Sequence, residues 1–279
     1  MTNSTTIQKK IFGPLFVIDQ VGIIDANSPI VSGDTDGSSL RPILLGIQAG
    51  IIEIDPIGID LLVGLVNEEA RILQGENDQV SADKLIKFQK NALLQQKLSD
   101  LTEHLTYKAS DQLLIIIGDC AHDRFSFNKD ADRKIREQMH KHGVIFITGN
   151  HDVHSICLAY SKTEDADFYG GYAKDSATTA AWEQHQQFVF CNAYYHKATN
   201  TLYLHHGAVL GLKGTVIQTA FVVPTKKEPG YVISKAKTFD PDDFVQYLNS
   251  QPLPMDPDGD YASYFNGFRP SKEQVKTLA

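Results

Sequence analysis

LLIIIGDCAHDR, residues 113–124, and GVIFITGNHD, residues 143–152, stand on either side of a charged segment. Each apolar run, Leu113–Ile117 and Val144–Thr148, leads into a glycine and then into polar side chains able to hold a metal. Short, unbroken, β-branched runs are the pattern of strands buried on both faces. Between them, Asp132 to His142 predicts a helix, with Ile135 and Met139 four apart on one side. Strand, helix and strand make a βαβ unit. Both polar clusters then lie at the carboxyl ends of parallel strands, where open α/β sheets place their ligands.

The same arrangement extends towards the N-terminus. SPIVS, residues 28–32, predicts a short strand feeding GDTDGSS, residues 33–39. Leu40, Ile43, Leu44, Ile47 and Ile51 follow at helical spacing, so GDTDG is also a strand-to-helix turn. From about Ile52 to Gln112 a helical hairpin is expected. Its first helix covers Leu61–Leu73, and Gly75–Asp78 break it. Ser81 is the expected N-cap of the second helix, which carries Leu94, Leu98, Leu101 and Leu105. Downstream, Phe188–Phe190, Leu202–Leu204 and Phe221–Val223 predict strands, the second running into His205-His206-Gly207. Leu15–Ile18 and Gly22–Ile24 suit an edge hairpin or lead-in strand. Residues 153–183 lack strong periodicity, and residues 250–270, rich in Pro, Asp and Gly, predict an irregular tail.

With 279 residues, 42% of them hydrophobic, the chain can supply a buried core for one large α/β domain or two small ones. Its net charge of −8, with acids and bases interspersed, argues against a general nucleic-acid binder. A phosphorylated substrate stays compatible, because metal ions supply local positive charge. Three cysteines, Cys120, Cys157 and Cys191, are odd in number and form no CxxC pair. A disulfide framework or cysteine zinc site is not expected, and a reducing compartment fits. No signal peptide and no apolar run of membrane-spanning length is read. The expectation is a soluble, cytoplasmic protein, and export as an effector into a host cell is compatible with the same sequence.

Four clusters converge on one sheet edge: Asp34 and Asp36; Asp119 and Asp123; Asn150, His151 and Asp152; His205 and His206. Carboxylates, an amide oxygen and imidazoles suit hard to borderline divalent metals. Two such ions about 3.5–4 Å apart clamp both oxygens of an in-line displacement at phosphorus. They need one bridging carboxylate, and Asp119 is the natural bridge. Alternation along a strand sends one of His205 and His206 inward.

The series GDTDG, GDCAHDR, GNHD and HHGA resembles, in that order, the motifs of the calcineurin-like metallophosphoesterases, specifically their phosphoprotein phosphatase branch. That branch carries GDxHG, GDxxDRG, GNH with Asp or Glu, HGG and one later histidine. The resemblance covers roughly residues 29–210. It implies an α/β fold, the metallophosphoesterase-type four-layer αββα sandwich with a helical insertion. Residues 1–279 would form a single domain, with the insertion at about 53–111 and the irregular tail at about 250–279.

The resemblance further implies two divalent metal ions, manganese foremost, with iron, zinc or magnesium as alternatives. Asp34 and Asp36 would hold the first with Asp119 bridging, and Asn150 and His206 the second. Gly207 favours His206 over His205, as in HGG. Arg124 would grip the phosphate, a task suited to guanidinium geometry. His151 would protonate the leaving oxygen, and Asp123 would orient it and raise its pKa. The implied activity is hydrolysis of phosphomonoesters by attack of a metal-bound hydroxide on phosphorus, with a phosphoprotein (Ser/Thr or Tyr) as substrate. A dinucleoside-polyphosphate or nucleotide phosphohydrolase and an inactive binding module are the alternatives. The chain departs from the pattern in three ways. Asp36 replaces histidine, GDCAHDR carries one extra residue before Asp123, and no histidine follows His206. His185, His196 and His205 are the candidates for the remaining ligand.

Overall fold

The structure, a computed structural model, describes residues 28–73, 82–121, 125–149, 151–152, 184–185 and 188–205. Beyond these it describes 210–211, 215–216, 221–225, 228–232, 242, 245–246 and 249. In chain order the elements begin with β1 (Ile30–Ser32), α1 (Leu40–Gln48), β2 (Ile52–Ile54), α2 (Pro56–Leu73), α3 (Ala82–Gln89) and α4 (Ala92–Thr102). They continue with β3 (Leu105–Tyr107), β4 (Leu114–Ile117), α5 (Lys129–Lys141), β5 (Ile145–Ile147) and β6 (Phe190–Cys191). Then come β7 (Tyr194–His196), β8 (Thr201–Tyr203), β9 (Leu210–Gly211), β10 (Thr215–Val216), β11 (Phe221–Thr225) and β12 (Glu228–Val232).

Strands β1, β4, β5 and β6 pair in that order as a parallel sheet. Leu114, Ile115 and Ile116 are fully buried, as a central parallel strand requires. All parallel strands run one way, so the turns after β1, β4 and β5 share one edge. Antiparallel pairs β2–β3, β7–β8, β9–β10 and β11–β12 lie outside this sheet.

Helix α5 starts at Lys129, three residues before the expected Asp132. The reason is Asn128, whose side chain accepts from the Ala131 amide at 3.1 Å and so caps the helix earlier. The insertion is not a plain helical hairpin. Gly50, at φ +72°, ends α1 at Gln48, so Ile51 leaves the expected helix. Ile52–Ile54 then pairs with Leu105–Tyr107, and Leu105 is a strand residue rather than the last leucine of a helix. The expected second helix is divided by Asn91, which accepts from the Leu93 and Leu94 amides and caps α4. At the other end Phe188 and Val189 are helical, and the strand starts at Phe190.

One hydrophobic cluster joins the insertion to the sheet: Ile43 from α1, Leu62 and Leu65 from α2, Leu98 and Leu101 from α4, Leu114 and Ile116 from β4 and Met139 from α5. Full burial of each such side chain stabilises the fold by about 1.5–3 kcal/mol. Among the described residues no helix is long and apolar enough to cross a membrane. The expected features at Leu15–Ile18, Gly22–Ile24, Gly75–Asp78, Ser81, 153–183 and 250–270 lie outside the described residues.

Candidate metal centre

The turn after β4 is built on Gly118 and Asp119, both in the left-handed region at φ +74° and φ +50°. For aspartate this conformation is strained, a cost of order 1–3 kcal/mol that surrounding contacts must hold. Several do. The Asp119 carbonyl accepts from the Gly37 amide at 2.9 Å and from Thr35 Oγ1 at 3.3 Å. Asp119 Oδ1 accepts from the His151 amide at 3.0 Å. The three strand-end turns are therefore bonded to one another through Asp119.

Asp34, Asp119 and His205 converge, with one ligand atom from each lying within 4.8 Å of the others. His205 Nδ1 stands 3.4 Å from Asp34 Oδ1, and its Nε2 stands 3.7 Å from Asp119 Oδ1. An imidazole gives one ion a single nitrogen, and one His205 nitrogen with one oxygen each from Asp34 and Asp119 forms a donor set of the kind that holds a divalent ion. Two glycines make the approach possible. A Cβ on Gly118 would run into the His205 ring, and a Cβ on Gly149 would run into the Asp119 nitrogen and Oδ1. Asp119 is buried and Asp34 exposed, so the cluster opens on one side to solvent.

Asp36 shares the first turn, at φ +53°, but its Oδ2 accepts from Arg41 Nη1 at 3.0 Å and it is not among the converging three. Of the histidines weighed for the remaining ligand, His205 is the one brought to the carboxylates. His196 is half-buried on β7, its Nδ1 2.8 Å from Thr199 Oγ1. His185 is buried: its Nε2 accepts from Arg136 Nε at 3.4 Å, and Nδ1 faces Glu137 Oε1 at 3.2 Å. Burial, then the charges of Arg136 and Arg133, hold its pKa down at about 2, so the contact with Glu137 is a hydrogen bond from a neutral ring. Asp123, Arg124, Asn150 and His206 lie outside the described residues.

The supporting shell contains Asp152, which the sequence places at this edge, and two buried charges, Asp132 and Arg136, that sequence reasoning missed. Asp152 Oδ1 accepts from the Ala121 amide at 2.6 Å and Oδ2 from the Gly149 amide at 2.7 Å, linking two strand-end turns. Burial, and next the Asp119 charge, push its pKa up to about 8. Asp132 accepts from Ser39 Oγ at 2.5 Å and from Ser126 Oγ at 2.8 Å. Arg136 Nη1 donates to the Cys120 carbonyl at 3.0 Å. Burial moves both members of this pair towards neutrality, Asp132 up and Arg136 down, against their mutual attraction. A signal was present. Asp132 and Arg136 share a helical face with Ile135 and Met139, at positions where exposed charges are not expected.

A model of the family described as calcineurin-like phosphoesterase matches residues 93–271. The chain belongs to that family. As a calcineurin-like phosphoesterase it has the α/β metallophosphoesterase fold, and its family binds divalent metals. The matched span begins in α4, so the Asp34 turn lies before it and joins it through the β1–β4 pairing. No curated protein matches the chain. Among solved structures it is similar to the phosphatase domain from the Legionella effector WipB. Identity is 13%, the TM-score is 0.45, and the alignment covers 64% of this chain and 68% of that one.

Proposed function

We propose that the protein is a metal-dependent phosphatase acting on phosphomonoesters, with phosphoprotein side chains as its substrate class. The observation that carries this reading is the convergence of Asp34, Asp119 and His205 on the carboxyl edge of the parallel sheet. Two carboxylates and an imidazole would hold one divalent ion. Asn150 and His206, which match motif positions of the family pattern, would hold a second that shares Asp119. When bound, the ions supply Lewis acidity and a nucleophile at neutral pH. Manganese suits this oxygen-rich set.

The chain's own residues then divide the work. Arg124 grips the phosphate, a bidentate task. His151 hands a proton to the leaving oxygen, and Asp123 orients its ring. The hydrogen bond from the His151 amide to Asp119 Oδ1 ties the proton donor to the bridging carboxylate. The whole chain acts as a single domain with the insertion at about 53–111. In this reading Asp36 is held by Arg41 and supports the turn rather than the ion.

The test is hydrolysis of para-nitrophenyl phosphate with added manganese, comparing wild type with Asp119→Asn, His151→Asn, His205→Asn and His206→Asn. Turnover that chelation abolishes and each substitution cuts at least a hundredfold supports the assignment. Turnover that survives Asp119→Asn sinks it. Phosphopeptides tested beside diadenosine tetraphosphate decide the substrate class: faster turnover of the latter would replace phosphoprotein by dinucleotide. The Arg41 contact with Asp36 favours a second reading, a binding module that has given up turnover. That reading predicts no manganese binding at millimolar concentration.

A further inference from the structure

Helix α2 buries an apolar face, Ile59, Leu62, Leu65 and Val66, against the core. Glu69 continues that face and is 6% exposed. A buried carboxylate is costly unless it is paired and hydrogen-bonded. Both requirements are met by the first-motif segment. Glu69 Oε2 accepts from Ser38 Oγ at 2.7 Å, and Oε1 faces Arg41 Nε at 3.4 Å. Arg41 Nη1 passes on to Asp36 Oδ2 at 3.0 Å, and its guanidinium lies 5.6 Å from the Phe125 ring centre. Ser38 is held back to the turn by its amide, which donates to the Thr35 carbonyl at 2.9 Å.

We propose that Glu69 is a positioning residue. From the helical insertion it fixes the Gly33–Gly37 turn through Ser38 and Arg41, and so sets where Asp34 stands in the metal centre. The effect on metal rests on the metal-centre reading above. The effect on the turn does not. Two independent observations support it: the polar chain just described, and the single hydrophobic cluster that the insertion shares with the sheet. The insertion is thereby part of the catalytic architecture and not a detachable surface module.

The full-length protein is tested as Glu69→Ala and Glu69→Gln, with Leu65→Ala as a core control. Leu65 is buried in the same helix and makes no polar contact with the turn. Manganese binding is measured by calorimetry, and turn stability by amide hydrogen exchange. Glu69→Ala should speed exchange at the Gly37 and Ser38 amides at least tenfold, leave the α5 amides unchanged, and raise the manganese Kd at least tenfold. Glu69→Gln, which keeps an acceptor for Ser38, should fall between. Leu65→Ala should lower the melting temperature while its manganese Kd stays within threefold of wild type. Wild-type exchange at Gly37 and Ser38 in Glu69→Ala overturns the proposal whether or not metal binds. Faster exchange with an unchanged Kd overturns the link to the metal. Wild-type protein that binds no manganese overturns the metal-centre reading, and the exchange result alone then decides whether Glu69 holds the turn.

Discussion

Replacing Asp132 by alanine should be among the most destabilising single changes in this fold. Asp132 and Arg136 are each 1% exposed, one helical turn apart on the inner face of α5. The substitution removes the acceptor of two hydroxyls, Ser39 Oγ at 2.5 Å and Ser126 Oγ at 2.8 Å. A hydrogen bond to a charged group contributes about 1.5–3 kcal/mol. The substitution also removes the carboxylate whose charge attracts the buried Arg136 guanidinium, and a buried charge left without that attraction is costly. These terms overlap, so the expected loss is about 4 kcal/mol out of a total of roughly 5–15 kcal/mol. Asp132→Asn keeps one acceptor and should lose about half as much. Burial already outweighs attraction on both members of the pair. Removing both charges, as Asp132→Ala with Arg136→Met, should therefore cost less than the sum of the two single changes. Urea unfolding followed by circular dichroism gives the four free energies at constant m. A loss under about 1 kcal/mol for Asp132→Ala, or strict additivity in the cycle, would refute the argument.

Gly118→Ala places a side chain at φ +74° and against the His205 ring, so manganese affinity should drop at least tenfold; unchanged affinity would remove His205 from the centre. His185 is neutral in the fold down to about 2 but takes a proton near its ordinary 6.5 when unfolded. The unfolded chain therefore binds more protons between those values, and the stability His185 contributes is complete above pH 6.5 and lost as pH falls towards 2. Unfolding midpoints from pH 8 to 4 should fall less steeply for His185→Gln than for wild type, and parallel curves would contradict the assignment. Asn128→Ala should cost about 2 kcal/mol by thermal melting, because it removes a cap and two side-chain bonds to α4, Gln95 O at 2.6 Å and Ser99 Oγ at 2.8 Å. Asn91→Ala, which removes a cap alone, should cost about 1 kcal/mol in the same assay.

Local patterns were legible wherever the physics is local. Buried parallel strands read as β-branched runs, and a glycine with polar residues follows each, so the turns at Gly33–Gly37 and Gly118–Asp119, which hold Gly37 and Gly118 at positive φ, stood out before any fold was known. The boundaries missed were those set by a partner or a cap. Ile52–Ile54 has no strand identity until Leu105–Tyr107 lies beside it, and Asn128 moved a helix start by three residues.

The sequence by itself determined that Asp34, Asp119 and the Gly149–Asp152 segment share one sheet edge, because strand direction and the glycine turns that follow are encoded within a few residues. The tertiary structure alone decided that His205 faces those carboxylates, that Arg41 takes Asp36, and that Glu69 reaches the first turn from the insertion. Those choices depend on side chains from distant segments meeting in one buried volume, and no spacing along the chain records which of several equivalent donors arrives there.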